Sequence, residues 1–173
     1  MSFLYHFSED PHIQAFVPRL HPSHPGLPPA VWAIDEAHAP MYYLPRDCPR
    51  IAFRLKEDTS AEDKAYFLDQ THAEMVIAVE SGWYSAIRDT VLYRYTFAAE
   101  PFSCWDEGAG YYRSHSGVSA VHPLKIEPMG DLFSRLCEAN VELRLTPSLA
   151  PLREFLLPCT LQFSMIRMRN ARQ

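Results

Sequence analysis

Glycine is scarce in this chain, with six in 173 residues against fifteen prolines. So few glycines, widely spread, supply no Gly-rich loop of the kind that cradles phosphates, and no GxSxG nucleophile elbow occurs. The loops are therefore ordered by proline, whose ring fixes φ, rather than left to conformational freedom. Basic charge is also short. Sixteen Lys and Arg stand against 21 Asp and Glu, a net charge of -5. That excludes the strongly basic face of a DNA binder. No apolar run approaches the ~18 residues that span a bilayer. The N-terminal MSFLYHFSED has no basic segment and turns acidic by Glu9, so no signal peptide is expected. Cys48, Cys104, Cys137 and Cys159 form no CxxC pair and read as free thiols. These absences point to a cytoplasmic protein with no membrane and no DNA partner.

What is present is the composition of a folded protein: 47% hydrophobic and 21% charged residues. The length suits one domain over residues 1–173 with a single buried core. Aromatics make up 13%, nine of them tyrosine, which suggests a core or a cleft rich in rings.

Patterning along the chain is strand-heavy. SFLYHFS, AVWAI, RIAFRL, EMVIAVE, VLYRYTF, GYYRSHS, HPLKIEP, VELRLT and LQFSMIRMRN read as strands, many by apolar alternation. Residues 9–30 read as a long proline-ordered loop. TSAE (Thr59 to Glu62) has the form of a capping box and predicts a helix to about Gln70. GWYSAIRD reads as a short helix or turn. GDLFSRLCEAN predicts a helix that stops at Asn140. TPSLAPLREFLL predicts one that starts at Thr146-Pro147. The class is α+β, with a mostly antiparallel, bent or split sheet and three or four short helices.

Several residues invite a chemical reading. Alternation along the first strand sends His6 to the face opposite Tyr5 and Phe7. It reads as a core histidine or as a ring that binds a ligand hydroxyl. His21, His24 and His38 raise a metal, but their spacing matches no zinc pattern, and a proline-ordered surface loop is the competing account. Cys48 lies between Arg46 and Arg50, cations that would favour a thiolate. No Cys/His signature accompanies it, so a packing role is the expectation. Arg46 and Arg50 could grip a phosphate, since a guanidinium matches its geometry, or could lock the turn YYLPRDCPRIAF into the strand that follows. Arg167 and Arg169 fall on one face of the last strand, a solvated or ion-paired edge.

Three blocks read together carry a resemblance. LYHFSEDPHIQAFVPR is a strand with a central His. VWAIDEAHAPMYY is a strand with an aromatic second residue, followed by an aromatic turn. AGYYRSHSGVSAVHPLKIEPM is a Tyr-rich strand, a turn and a short strand. This order resembles the ADP-ribosyltransferase-like fold, including its RNA 2'-phosphotransferase and rifampicin ADP-ribosyltransferase branches. Over nearly the whole chain, the VWAIDE, PRDCPR, YRYT, AGYY and FSMIRMRNA blocks resemble a bacterial family of uncharacterised proteins. The first resemblance implies a nucleotide cleft for NAD or ADP-ribose. His6 would meet a ribose hydroxyl and Trp32 would stack on nicotinamide. Tyr42, Tyr43 and Tyr111 would line the cleft, with Arg46 or Arg50 on a phosphate. NAD would be substrate rather than resident cofactor. The third block of that fold brings a glutamate where this chain has Gly110-Tyr111-Tyr112, with Glu107 three residues early. Two functions therefore stand: a transferase of the ADP-ribosyltransferase type, or a non-catalytic binding or interaction domain.

Overall fold

The computed structural model describes residues 2–119 and 123–172. The chain folds into two compact units, each built from two separate segments. Residues 1–42 and 91–130 form the first, and residues 43–90 and 131–173 the second. No helix among the described residues is long and apolar enough to cross a membrane.

The first unit is a six-stranded sheet, antiparallel throughout. Its strands are β1 (Phe3–Ser8), β3 (Val31–Ile34), β6 (Tyr93–Ala98), β7 (Ser103–Asp106), β8 (Tyr111–Ser114) and β10 (Pro123–Pro128), in the order β10-β6-β1-β3-β8-β7. A two-stranded ribbon, β2 (Ala15–Phe16) with β9 (Val118–Ser119), joins it. Leu4, Phe16, Val31, Ala33, Tyr95, Phe97 and Val118 form its core on one sheet face. Phe16 is the centre of that packing. Its ring meets Tyr95 and Phe97 edge-on, at 5.2 and 5.0 Å between centroids. The buried Tyr95 hydroxyl donates to the Asp10 carbonyl (2.6 Å) and accepts from the Ile13 amide (3.2 Å), which fastens the loop after β1. Burial raises the pKa of that phenol.

The second unit has a four-stranded sheet ordered β11-β5-β4-β12: β4 (Arg50–Arg54), β5 (Met75–Glu80), β11 (Val141–Thr146) and β12 (Gln162–Ile166). Only β11 and β5 run parallel; the other pairs are antiparallel. All six residues of β5 are buried, as expected for a central strand covered on both faces. Helices α1 (Ala61–Gln70) and α4 (Ala150–Leu156) contribute Phe67 and Leu156 to one core with Ile51, Phe53, Val76 and Ala78. Helix α3 (Leu132–Glu138) packs along β11 and against α2 (Tyr84–Asp89), where Phe133 stacks on Tyr84 at 5.4 Å.

The α+β class, the mostly antiparallel sheets and the four short helices agree with the sequence. Several boundaries differ. The helix predicted from Thr59 is capped by Ser60, whose hydroxyl accepts from Asp63 N at 3.2 Å. The Thr59 hydroxyl instead accepts from Lys56 N in the preceding turn (2.9 Å). The helix expected at Thr146-Pro147 starts at Ala150, because Thr146 ends β11 and Pro151 takes the helix's first turn. The last strand stops at Ile166. Arg167 adopts the left-handed conformation (φ 56°), and Met168–Asn170 form a 3-10 turn, so Arg167 and Arg169 do not continue a strand face. The loop at 9–30 holds β2 and two single bridges, Arg19 with Ala30 and His21 with His24. In HPLKIEP, the strand over residues 123–128 is present, and His122 lies outside the described residues.

The C-terminal segment of the second unit is tied down by two polar contacts. Asn170 Nδ2 donates to the Asp47 carbonyl (2.7 Å), and the Arg172 amide donates to the buried Glu80 carboxylate (2.9 and 3.2 Å). Replacing Asn170 with Ala removes one hydrogen bond and should destabilise the protein by about 1 kcal/mol. Urea unfolding of the two proteins measures it.

Candidate functional site

Strand register decides which side chains of the first unit share a surface. Directly opposed residues of an antiparallel pair lie on one face, and neighbours along a strand lie on opposite faces. Tyr5 opposes Ile34, Ile34 opposes Tyr111, and Trp32 opposes Arg113. His6 opposes Tyr95, and Leu4 opposes Phe97. Trp32, Tyr111 and Arg113 therefore share one face, and His6 sits on the other, with the core. His6 lies edge-on to Phe16 at 4.9 Å. Its Nδ1 donates to the Trp32 carbonyl at 3.3 Å, so it meets the backbone of Trp32.

The face opposite the core carries a cluster of rings. Trp32 meets Trp105 at 5.1 Å with the planes at 90°, and meets Tyr111 at 6.3 Å and 89°. Trp105 and Tyr111 lie 6.4 Å apart at 37°. The Tyr111 hydroxyl shares a 2.8 Å hydrogen bond with the Tyr42 hydroxyl. His21 packs edge-on to Trp32 at 5.1 Å, and His24 lies 5.6 Å from Trp105. The Arg113 guanidinium lies over the Trp105 ring at 6.0 Å. Trp105 joins the group by alternation: Ser103 opposes Arg113, and Trp105 lies two residues further along β7, on the same face. The register against β8 then shifts between Cys104 and Asp106. Every ring in the cluster is partly or fully exposed, so it is a surface and not a second core.

Beside it sits a tight turn. Gly110 has φ +71°, and its carbonyl accepts from the Asp35 amide at 3.0 Å. A Cβ at this position would come within 2.3 Å of His38 Nδ1 and 2.8 Å of Asp35 Oδ1. His38 Nδ1 donates to that same carboxylate oxygen at 2.7 Å, and His38 is buried. No side chain, glutamate included, fits where the third block of the ADP-ribosyltransferase pattern carries its acid. Glu107 is exposed in the preceding turn.

His21 and His24 lie 5.1 Å apart among the tryptophans, while His38 is engaged with Asp35. Among the described residues, no three His, Cys, Asp or Glu side chains are grouped so as to hold a metal ion.

Tyr43, Arg46 and Arg50 belong to the second unit. Tyr43 is buried and Arg46 exposed. Arg50 is 1% exposed, and its guanidinium donates to the Pro45 and Arg46 carbonyls at 3.4 Å each. It holds the turn before β4 from the inside. Cys48 is fully buried, with its thiol 3.6 Å from the Pro49 carbonyl. Burial pushes its pKa from the ordinary 9.0 to about 12, with Glu80 adding to the rise and Arg50 opposing it. Both observations fit a thiol that packs inside the unit. The same unit carries an open recess near 420 Å³ beside Phe67, Leu68, His72 and Glu74. It gathers no ring cluster and no cysteine.

Trp105, Arg113 and the placement of His21 and His24 against tryptophan escaped the sequence reading. Trp105 lay in a segment with no alternation to mark it, and Arg113 was one polar residue of a strand.

The class is thus an α+β protein with a ring-lined polar surface on one antiparallel sheet. The chain belongs to a family of unknown function, DUF6886, which matches residues 5–171. Neither the curated proteins nor the solved structures yield a match.

Four outcomes follow from these observations. Gly110→Ala combines the left-handed strain of about 1–2 kcal/mol with a collision, so it should lose at least about 2 kcal/mol in urea unfolding. Gly26→Ala, where a Cβ meets nothing within 4 Å, should stay within about 0.5 kcal/mol of the parent. For Cys48, the fold favours the protonated thiol, so that stabilisation is complete below pH 9.0 and is lost as pH rises toward about 12. In the native protein at pH 8, iodoacetamide should label the exposed Cys104 and Cys137 and leave Cys48 unlabelled, as read by peptide mass spectrometry.

Proposed function

We propose that this protein binds a small ligand bearing a flat ring, with nucleotides of the NAD or ADP-ribose type as the leading class. The carrying observation is the half-buried cluster of Trp32, Trp105 and Tyr111, set off from the core by strand alternation and joined by Tyr42 through its hydroxyl. Rings kept partly in water at the surface are available for stacking, which is worth about 1–3 kcal/mol per base. Their two-torsion side chains lose little entropy on binding.

The reading assigns binding without group transfer. A transferase of the ADP-ribosyltransferase type calls for a first-strand His in the same cleft as the second-strand aromatic, and for an acid in the third block. Here His6 and Trp32 have opposite faces, and Gly110 occupies the acid's place. Four free cysteines suit the reducing, cytoplasmic setting the proposal assumes.

Titration with NAD, ADP-ribose and nicotinamide, followed by tryptophan fluorescence and thermal shift, tests it. At a ligand concentration of about 100 times the dissociation constant, the stability gain should be about 2.7 kcal/mol. Trp32→Ala should weaken binding. No shift and no quenching with any of the three would overturn the proposal, and nicotinamide release from NAD above background would restore transfer chemistry.

A further inference from the structure

The ring cluster contains two polar atoms that its packing leaves unexplained. Trp32 Nε1 and Arg113 Nη1 are both covered from solvent and, among the described residues, meet no hydrogen-bond acceptor. An orphaned buried donor costs about 1–3 kcal/mol, more when charged, so such atoms are rare in folded proteins. Here two occur together, on residues that face each other directly across the β3–β8 pair. The Trp32 carbonyl is already engaged, by His6 Nδ1 at 3.3 Å. The donors are also held in place. Arg113 rests on Trp105, and Trp32 is fixed between Trp105 and Tyr111 at right angles to both. His21 meets Trp32 and His24 meets Trp105; both come from the loop before β3 and not from the sheet.

We infer that Trp32 Nε1–H and Arg113 Nη1–H form the receptor for an oxyanion on the ligand, a carboxylate on its flat ring or a phosphate carried on the sugar beside it. This rests on the ring-binding reading and specifies its ligand. The same arrangement rejects cationic ligands. A quaternary or methylated ammonium would need the face of Trp105 that the protein's own guanidinium covers, and would meet like charge there. An anion instead satisfies both orphaned donors and pairs with the guanidinium, a charge-assisted contact roughly twice as strong as a neutral one.

Matched neutral and anionic ligands test this on the full chain by isothermal titration: adenosine against AMP, and nicotinamide against nicotinate. The first pair probes phosphate and the second carboxylate. The anionic member of at least one pair should bind about tenfold or more tighter, the scale of one charged hydrogen bond. In Arg113→Met, which keeps the apolar stem over Trp105, that preference should fall below about threefold, and Trp32→Phe, which keeps a ring but removes the N–H, should reduce it too. Circular dichroism checks that both variants fold. Equal binding of neutral and anionic members overturns the oxyanion inference and leaves the ring reading standing. A preference that survives both substitutions also overturns it, by placing anion recognition elsewhere. No binding by any of the four ligands strikes the ring reading itself, and the inference with it.

Discussion

The pairing of β3 with β8 governs what the first unit can present to a ligand. Four residue pairs in register place Val31 against Ser114, Trp32 against Arg113, Ala33 against Tyr112 and Ile34 against Tyr111. Sheet alternation then sends Val31 and Ala33 into the core with Phe16 and sends Trp32, Tyr111 and Arg113 the other way. A slip of one residue would exchange the two sets, burying a guanidinium and exposing the core. The apolar core therefore fixes the register, and the register fixes the site. The left-handed turn at Gly110, with no room for a side chain beside His38, sets where β8 begins.

The second unit solves a different problem: how to enter a largely buried strand, β4, from a proline-bounded turn. Arg50 is the first residue of β4 and is almost completely enclosed. Its guanidinium reaches back to carbonyls of the turn that precedes it, so the charge serves the chain's own backbone. A buried cation is expensive unless paired and hydrogen-bonded. Glu80, equally buried, receives the Arg172 amide, so the interior polar groups also anchor the end of the described chain.

Much of this architecture was legible from pattern alone. Aromatic and apolar content marked β1, and alternation marked β6 and β11. Asn140 marked the end of α3 correctly, taking a positive φ just past the helix. His6 was correctly set opposite Tyr5 along its strand. What alternation within one strand cannot tell is which face of a neighbouring strand comes alongside, and the proposed site depends on that step. His6 and Trp32 each looked suited to a cleft, yet their separation by a sheet is a fact of pairing, carried by long-range register rather than by either segment. Trp105 was illegible for a related reason. Its face follows from the pairing of Ser103 with Arg113, a long-range register that a four-residue strand does not announce. The helix expected at Thr146 failed because the strand β11 claimed Thr146 for its pairing with Glu80, overriding a good local start signal.

Each unit is assembled from two stretches of sequence, with the other unit's residues intervening. Trp32 precedes the long insertion 43–90 and Arg113 follows it. During synthesis, Trp32 must therefore wait for some eighty further residues to emerge before its cross-strand neighbour exists. The long loop closure involved slows folding relative to a local pairing. It also means that no contiguous excised fragment contains either unit by itself.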